Sequence, residues 1–197
     1  MRRIRDMKAT ILNGFLVEGE TTQNVLKIIE SELAGKQWLV DSFVLRDMKI
    51  ASCLGCFNCW LKTPGICVID DAGRDVTKAY VQSDVTFFLT HVTFGGYSSE
   101  LKKAVDRLIP SVSPYFIKIH GETHHRPRYE KYPKLVVIGV LRHADVESER
   151  IFKTLVGRNA INMHSPAHTT CIVSERDWYD EMHNKIRESL DKVGVLQ

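Results

Sequence analysis

Apolar residues fall in short unbroken runs separated by stretches where they recur every three or four positions, a contrast that predicts strands alternating with helices. Residues 9–13 form a short buried strand, 14–20 a loop, and a helix runs from Thr21 or Thr22 to Leu33 with Val25, Ile28, Ile29 and Leu33 on one face. A second strand spans 38–45. Asp70-Asp71 can cap the helix marked by Val76, Ala79 and Tyr80. Residues 85–90 are apolar, β-branched and aromatic, as a central strand requires. Ser98-Ser99 open a helix whose Leu101, Ala104, Val105 and Leu108 share a face and whose end is set by Pro110. Strand 135–141, helix 147–157 and strand 169–173 follow, and Trp178, Met182, Ile186 and Leu190 stripe the closing helix.

Strands that read as apolar on both faces, alternating with helices, argue a parallel sheet covered on both sides. Five such units suit one α/β domain over residues 1–197 in the flavodoxin-like, doubly wound order 2-1-3-4-5. Two segments stand outside the alternation: a cysteine-rich excursion at 51–70 and a polar insertion at 118–133. In such sheets a ligand sits beyond the carboxyl ends of the strands where the order reverses, which selects the loops after the first and third strands. The first loop, "NGFLVEGETTQN", ends in Thr21-Thr22, whose hydroxyls and N–H groups suit either a helix cap or a phosphate. The second, "THVTFGGYSSELKK", sets Phe94 and Tyr97 around Gly95-Gly96, giving aromatic surface with close backbone approach.

Charge narrows the partners. The 197 residues carry a net charge of +3 with both signs interleaved, so no basic stripe offers itself to nucleic acid. No apolar run approaches the roughly 18 residues that span a bilayer. The start, Met1-Arg2-Arg3-Ile4-Arg5, is basic but runs into Asp6 and Lys8 without the apolar stretch of an export leader, so a reducing cytoplasm is the expected compartment. There, clustered cysteines serve metals or redox chemistry more often than structural disulfides. Four of the five cysteines are clustered: Cys53, Cys56 and Cys59 at intervals of three, then Cys67. Cys171 reads as a small buried side chain in the fifth strand. Residues 120–133, "HGETHHRPRYEKYP", read as a solvated or subunit-contacting loop in which His124 and His125 face opposite ways, and His143 and His164 as ordinary loop histidines.

"ILNG", "CLGCFNCWLKTPGICVIDD", "SDVTFFLT" and "VTFGGYSSELKKAVDRLIP", in this order and spacing, resemble the NADPH-dependent FMN reductase family, and within it the iron-sulfur flavoproteins. The resemblance implies a flavodoxin-like fold, noncovalent FMN, NAD(P)H as electron donor, and assembly into homodimers or homotetramers. It makes Gly14, Thr21 and Thr22 candidates for the FMN phosphate. Thr90, Val92, Thr93, Phe94 and Gly95 become candidates for the ribityl chain and ring edge. Asp106-Arg107 matches a family dipeptide and is read as structural. Cys53, Cys56, Cys59 and Cys67 match the compact motif of a [4Fe-4S] cluster, although relatives without a cluster keep some of these cysteines; zinc fits the spacing less well.

Two departures stand out: the first loop bears Phe15-Leu16-Val17-Glu18 where relatives carry hydroxyls, and the third strand ends Thr90-His91 where relatives often have Thr-Pro. Three functions follow. The first is an NAD(P)H-dependent reductase of flavin, quinone or a similar small-molecule electron acceptor. The second is an electron carrier between FMN, a cluster and a ferredoxin-like partner. The third is a scaffold whose FMN site has decayed.

Overall fold

The structure, a computed structural model, describes residues 6–196; the basic start, Met1 to Arg5, lies outside the described residues. Strands β1 (Lys8–Asn13), β2 (Leu39–Val44), β3 (Val85–His91), β6 (Lys134–Leu141) and β7 (His168–Ser174) form one parallel sheet in the order β2-β1-β3-β6-β7. Counted along this sheet alone, that is the expected 2-1-3-4-5. Helices α1 (Glu20–Gly35), α3 (Gly73–Gln82), α4 (Ser99–Asp106), α5 (Val146–Asn162) and α6 (Tyr179–Lys192) connect the strands and close the chain. Among the described residues no helix is long and apolar enough to cross a membrane.

The unbroken apolar strands have a direct cause. Successive side chains leave a strand on opposite faces, so a sheet covered on both sides needs apolar residues at every position. Ile11, Phe87 and Val136 join α1 and α6 through Val25, Ile28, Met182 and Ile186. Their neighbours Leu12, Phe88 and Val137 join α3, α4 and α5 through Val76, Tyr80, Leu101, Phe152 and Val156.

The segment read as a polar loop is folded. Strands β4 (Val112–Ile119) and β5 (Glu122–Pro127) pair antiparallel in a two-stranded hairpin, with an irregularity between Val112 and Phe116. Its alternation is weak because Tyr115, Phe116 and Ile117 are all exposed in succession, so no buried face marks it in the sequence. Specific polar contacts hold it instead. Arg128 Nε donates to the Pro110 carbonyl at 2.8 Å, Tyr132 Oη donates to the Ser111 carbonyl at 2.6 Å, and a His164 ring nitrogen meets the His125 carbonyl at 2.8 Å. His124 is buried against Asn162 Oδ1 at 2.8 Å, so neither His124 nor His164 is an idle loop histidine. A short helix, α2 (Asn58–Leu61), interrupts the cysteine excursion.

The two loops at the switch point leave the carboxyl ends of adjacent strands, since β1 lies between β2 and β3. Gly14 closes the seam between them: its N–H donates to the Leu89 carbonyl at 2.8 Å and its carbonyl accepts from Ser98 Oγ at 2.5 Å. A Cβ there would meet Leu101 Cβ at 2.5 Å, a distance that forces backbone movement. Gly14→Ala is therefore expected to lower stability by about 1–3 kcal/mol. A urea midpoint unchanged from wild type would show that the seam tolerates the methyl.

Candidate functional site

Beyond β3 the chain makes a tight turn. The Thr93 N–H donates to the Gly96 carbonyl at 3.0 Å and the Gly96 N–H returns to the Thr93 carbonyl at 2.8 Å. Phe94 (φ 50°) and Gly95 (φ 72°) are both left-handed, the geometry of a type I′ turn, which an aromatic residue adopts only under constraint. The constraint is packing: a Cβ on Gly95 would lie 2.7 Å from Ile151 Cγ2 on α5, so the backbone is pressed against that helix. Phe94 consequently points wholly into solvent, with a relative exposure of 101%.

The neighbouring candidates carry the turn. Thr90 is fully buried; its hydroxyl accepts from the Ser98 N–H at 2.8 Å and donates to the His91 carbonyl at 2.8 Å. The Val92 N–H donates to the Val140 carbonyl at 2.9 Å. His91 ends β3 edge-on to Phe15, ring centroids 5.1 Å apart, which joins the two switch-point loops. Burial, with a smaller contribution from Arg142, pushes the His91 pKa below its usual range against the opposing pull of Glu175.

The phosphate candidates are less concentrated. Thr22 caps its own helix: its hydroxyl accepts the Gly19 N–H at 2.9 Å and lies 2.9 Å from the Gly19 carbonyl. Thr21 lines a cleft of about 290 Å³ with Asn24, Glu175, Arg176 and Trp178, between α1 and the start of α6. Glu18, the negative charge of the first loop, is paired by Arg46, whose Nη1 also reaches the Phe15 carbonyl at 3.4 Å. Sequence reasoning missed Arg46, because it lies beyond β2 and nothing local ties it to the loop. A solvent-directed aromatic beside a glycine backbone thus fits the flat ring of FMN. Its phosphate would draw on the α1 N-terminus and Thr21, and on Thr22 only at the expense of the cap.

A second site lies on the cysteine excursion. Cys53, Cys56, Cys59 and Cys67 line one cavity of about 260 Å³ together with Arg107. Cys53 and Cys56 are exposed, Cys67 is half-buried and Cys59 is buried. Among the described residues no three His, Cys, Asp or Glu side chains stand in ready metal-binding geometry. The sulfurs are nevertheless electrostatically coupled: burial first, then the charges of Cys67 and Cys53, push the Cys59 thiol up.

Arg107, 1% exposed, forms a two-pronged pair with Asp71: Nη1 to Oδ2 at 2.9 Å and Nη2 to Oδ1 at 2.8 Å. Burial acts to raise the Asp71 pKa, but Arg107 and the N–H groups of Ala51 and Gly73 outweigh it and leave the carboxyl below its usual range. The expected capping role of Asp71 is real, since Oδ1 accepts the Gly73 N–H at 2.9 Å at the start of α3, but it is the smaller part of what this carboxylate does. Sulfur ligands chemically suit iron or an iron-sulfur cluster, and the donor set here is all sulfur beside one buried cation.

Residues 7–168 match the profile of the NADPH-dependent FMN reductases. The chain belongs to that family. It is accordingly an FMN-dependent oxidoreductase that draws on NAD(P)H. The fold is similar to that of the NAD(P)H:quinone oxidoreductase from Methanothermobacter marburgensis, with a TM-score of 0.67, 14% identity, and coverage of 94% of this chain and 96% of that one. It is also similar to an FMN-dependent NADH-azoreductase from Bacillus anthracis in complex with FMN, with a TM-score of 0.66, 12% identity, and coverage of 96% and 99%. Among curated protein sequences, none matches this reductase.

The depressed His91 pKa has a measurable consequence. The unfolded chain protonates this imidazole near the ordinary value of about 6.5, whereas the folded protein resists protonation. His91 therefore has no effect on the pH slope well above that value and subtracts stability as pH falls through it. The His91 ring proton should titrate below pH 6.5 by NMR, and His91→Gln should flatten the loss of urea stability between about pH 7 and pH 5. A midpoint at or above 6.5 would contradict the assignment.

Proposed function

We propose that this reductase holds FMN at the β1/β3 switch point and passes electrons from NAD(P)H to a small flat acceptor, a quinone or a free flavin. The single observation that carries this reading is the Thr93–Gly96 turn, which holds Phe94 fully exposed in a constrained conformation next to bare glycine backbone. Exposed apolar surface and left-handed backbone both cost free energy, and a stacked aromatic ligand offsets the first. Bound FMN supplies the chemistry, taking hydride from the nicotinamide and delivering electrons to the acceptor.

The protein's residues orient and exclude. Thr93, Phe94 and Gly95 seat the ring edge, Thr90 and Val92 fix the turn behind it, and His91 offers a hydrogen bond without a charge. Gly14 keeps the loops in register, while Thr21 and the N-terminus of α1 would hold the phosphate, joined by Thr22 where its hydroxyl gives up the Gly19 cap. Arg46 removes the repulsion that Glu18 would otherwise exert there. No side chain is required as nucleophile or general base.

Cys53, Cys56, Cys59 and Cys67 hold a [4Fe-4S] cluster, a one-electron centre, in this reading. Their shared cavity and the buried Arg107 charge support it. A reducing cytoplasm suits the free thiols. Exposed Leu54, Leu61, Tyr115 and Phe116 support a homodimer or homotetramer. The same sulfur cavity favours a second reading, an electron carrier that exchanges electrons with a ferredoxin-like protein and has no steady nicotinamide turnover.

Protein purified without oxygen is expected to show the two visible bands of bound flavin and to oxidise NAD(P)H continuously when a quinone is added. Flavin bands without turnover with any small acceptor would favour the carrier. A colourless protein that takes up no added FMN would overturn both and leave a decayed site. Phe94→Ala is expected to weaken FMN binding about three- to tenfold with unchanged thermal stability, because the side chain makes no contact in the folded protein. Unaltered affinity in a flavin fluorescence titration would remove Phe94 from the site.

A further inference from the structure

Arg107 has more capacity than the fold uses. Its Nη1 donates to the Ala51 carbonyl at 2.8 Å and its Nη2 to the Ile69 carbonyl at 3.3 Å, so with Asp71 it clamps both ends of the cysteine excursion. The seat is built for it: α3 begins at Gly73, where a Cβ would lie 3.0 Å from the guanidinium carbon, and Thr77 Oγ1 donates to the Arg107 carbonyl at 3.1 Å. Yet Nε is buried with no hydrogen-bond partner. A buried donor left without an acceptor loses its hydration with nothing in return, so a persistent one calls for a partner. Arg107 is also the cation on a cavity wall made by four cysteines. The wall's carboxylate, Asp106, is bound by Lys102 Nζ at 2.6 Å and is satisfied elsewhere.

We propose that Arg107 is a positioning residue for the cysteine site: its unpartnered Nε–H donates to a cysteine sulfur once a metal is held there, and its guanidinium supplies the positive charge that a metal–thiolate centre needs. This deepens the reading of the four cysteines as an iron-sulfur site and rests on it. Four thiolates gathered around iron carry net negative charge, and an added electron makes it greater. A fixed cation on the wall of the same cavity stabilises the reduced state more than the oxidised one. The Asp71 pair does not cancel this effect in full, because Arg107 lines the cysteine cavity and Asp71, bound to Nη1 and Nη2 and to the Ala51 and Gly73 N–H groups, does not. Asp71 instead holds the fork at one angle, which lysine could not reproduce.

The test is reconstitution of the full chain with iron and sulfide under anaerobic conditions, followed by a redox titration read by electron paramagnetic resonance. In Arg107→Gln the reduced-to-oxidised ratio at the wild-type midpoint should fall about tenfold, equivalent to a shift of about 59 mV to more negative potential for one electron. Arg107→Lys should retain the charge but lose iron faster to a chelator. Removing one member of a buried pair can unfold a protein, so the double variant Asp71→Asn, Arg107→Gln, which keeps a neutral hydrogen-bonded pair, is titrated alongside.

Wild-type protein labelled with nitrogen-15 arginine should also show nitrogen coupling to the spin of the reduced centre, a readout that needs no substitution. Wild-type potential in a folded, iron-loaded variant, or absence of that coupling, overturns the role of Arg107 alone. Wild-type protein that takes up no iron and sulfide overturns the cysteine reading together with it.

Discussion

The buried pair between Arg107 and Asp71 fixes the shape of the cysteine excursion that follows β2. Residues 48–72 contain one helical turn, α2, and little regular ladder of their own, so their conformation has to be imposed from outside. Arg107 imposes it from the end of α4 by binding the carbonyls of Ala51 and Ile69 as well as the Asp71 carboxylate. Taking two charges out of water is expensive, and their attraction repays the cost only when the geometry is good and the remaining polar atoms are satisfied. Both conditions hold for Asp71, which also accepts N–H groups from Ala51 and Gly73. Arg107 falls one donor short, at Nε.

A second set of contacts ties the same excursion to the hairpin. Trp60 stacks on Phe57 with ring centroids 5.0 Å apart and meets His125 of β5 at 4.7 Å, and His125 in turn lies 5.0 Å from Phe116 of β4. The Trp60 Nε1–H is shared between the Ile109 and Val112 carbonyls at 3.2 and 2.9 Å, where α4 gives way to β4. The hairpin therefore owes its placement to the cysteine segment as much as to its own ladder. Two-stranded hairpins are marginal alone, and this one packs its aromatic side on a neighbour.

How much of this could be read in the sequence depends on where the stabilising partners lie. The central strands were legible because burial on both faces leaves no freedom in composition, and Ile11-Leu12 and Phe87-Phe88 show that directly. β4 and β5 were not, since a strand whose Tyr115, Phe116 and Ile117 stay exposed writes no alternating pattern. The cysteine spacing announced a site, whereas Arg107, some forty residues on from Cys67, read only as structural. Arg46 was invisible for the same reason: its partner Glu18 is 28 residues away, and sequence spacing carries no information about such pairs. Thr22 shows the converse ambiguity, a hydroxyl that caps its own helix and carries the same local signature as a phosphate ligand.

Helix α4 gives the two sites a common frame. At its start the Ser98 N–H is held by Thr90 and the Ser98 hydroxyl by Gly14, both at the switch point of the sheet. At its end stands Arg107, against the sulfur cavity. At about 1.5 Å rise per residue the helix carries these anchors only some 13 Å apart along its axis. Leu101 and Ala104 are fully buried between them, so the helix cannot slide or turn without disturbing the core beneath Leu12 and Phe88. The relative position of the two loops that would meet a flavin and of the cation that faces the thiols is thus set by one rigid element rather than by two flexible excursions. Close packing marks both ends of that element, where a Cβ on Gly14 would meet Leu101 at 2.5 Å and one on Gly73 would meet Arg107 at 3.0 Å, so neither end has room to shift.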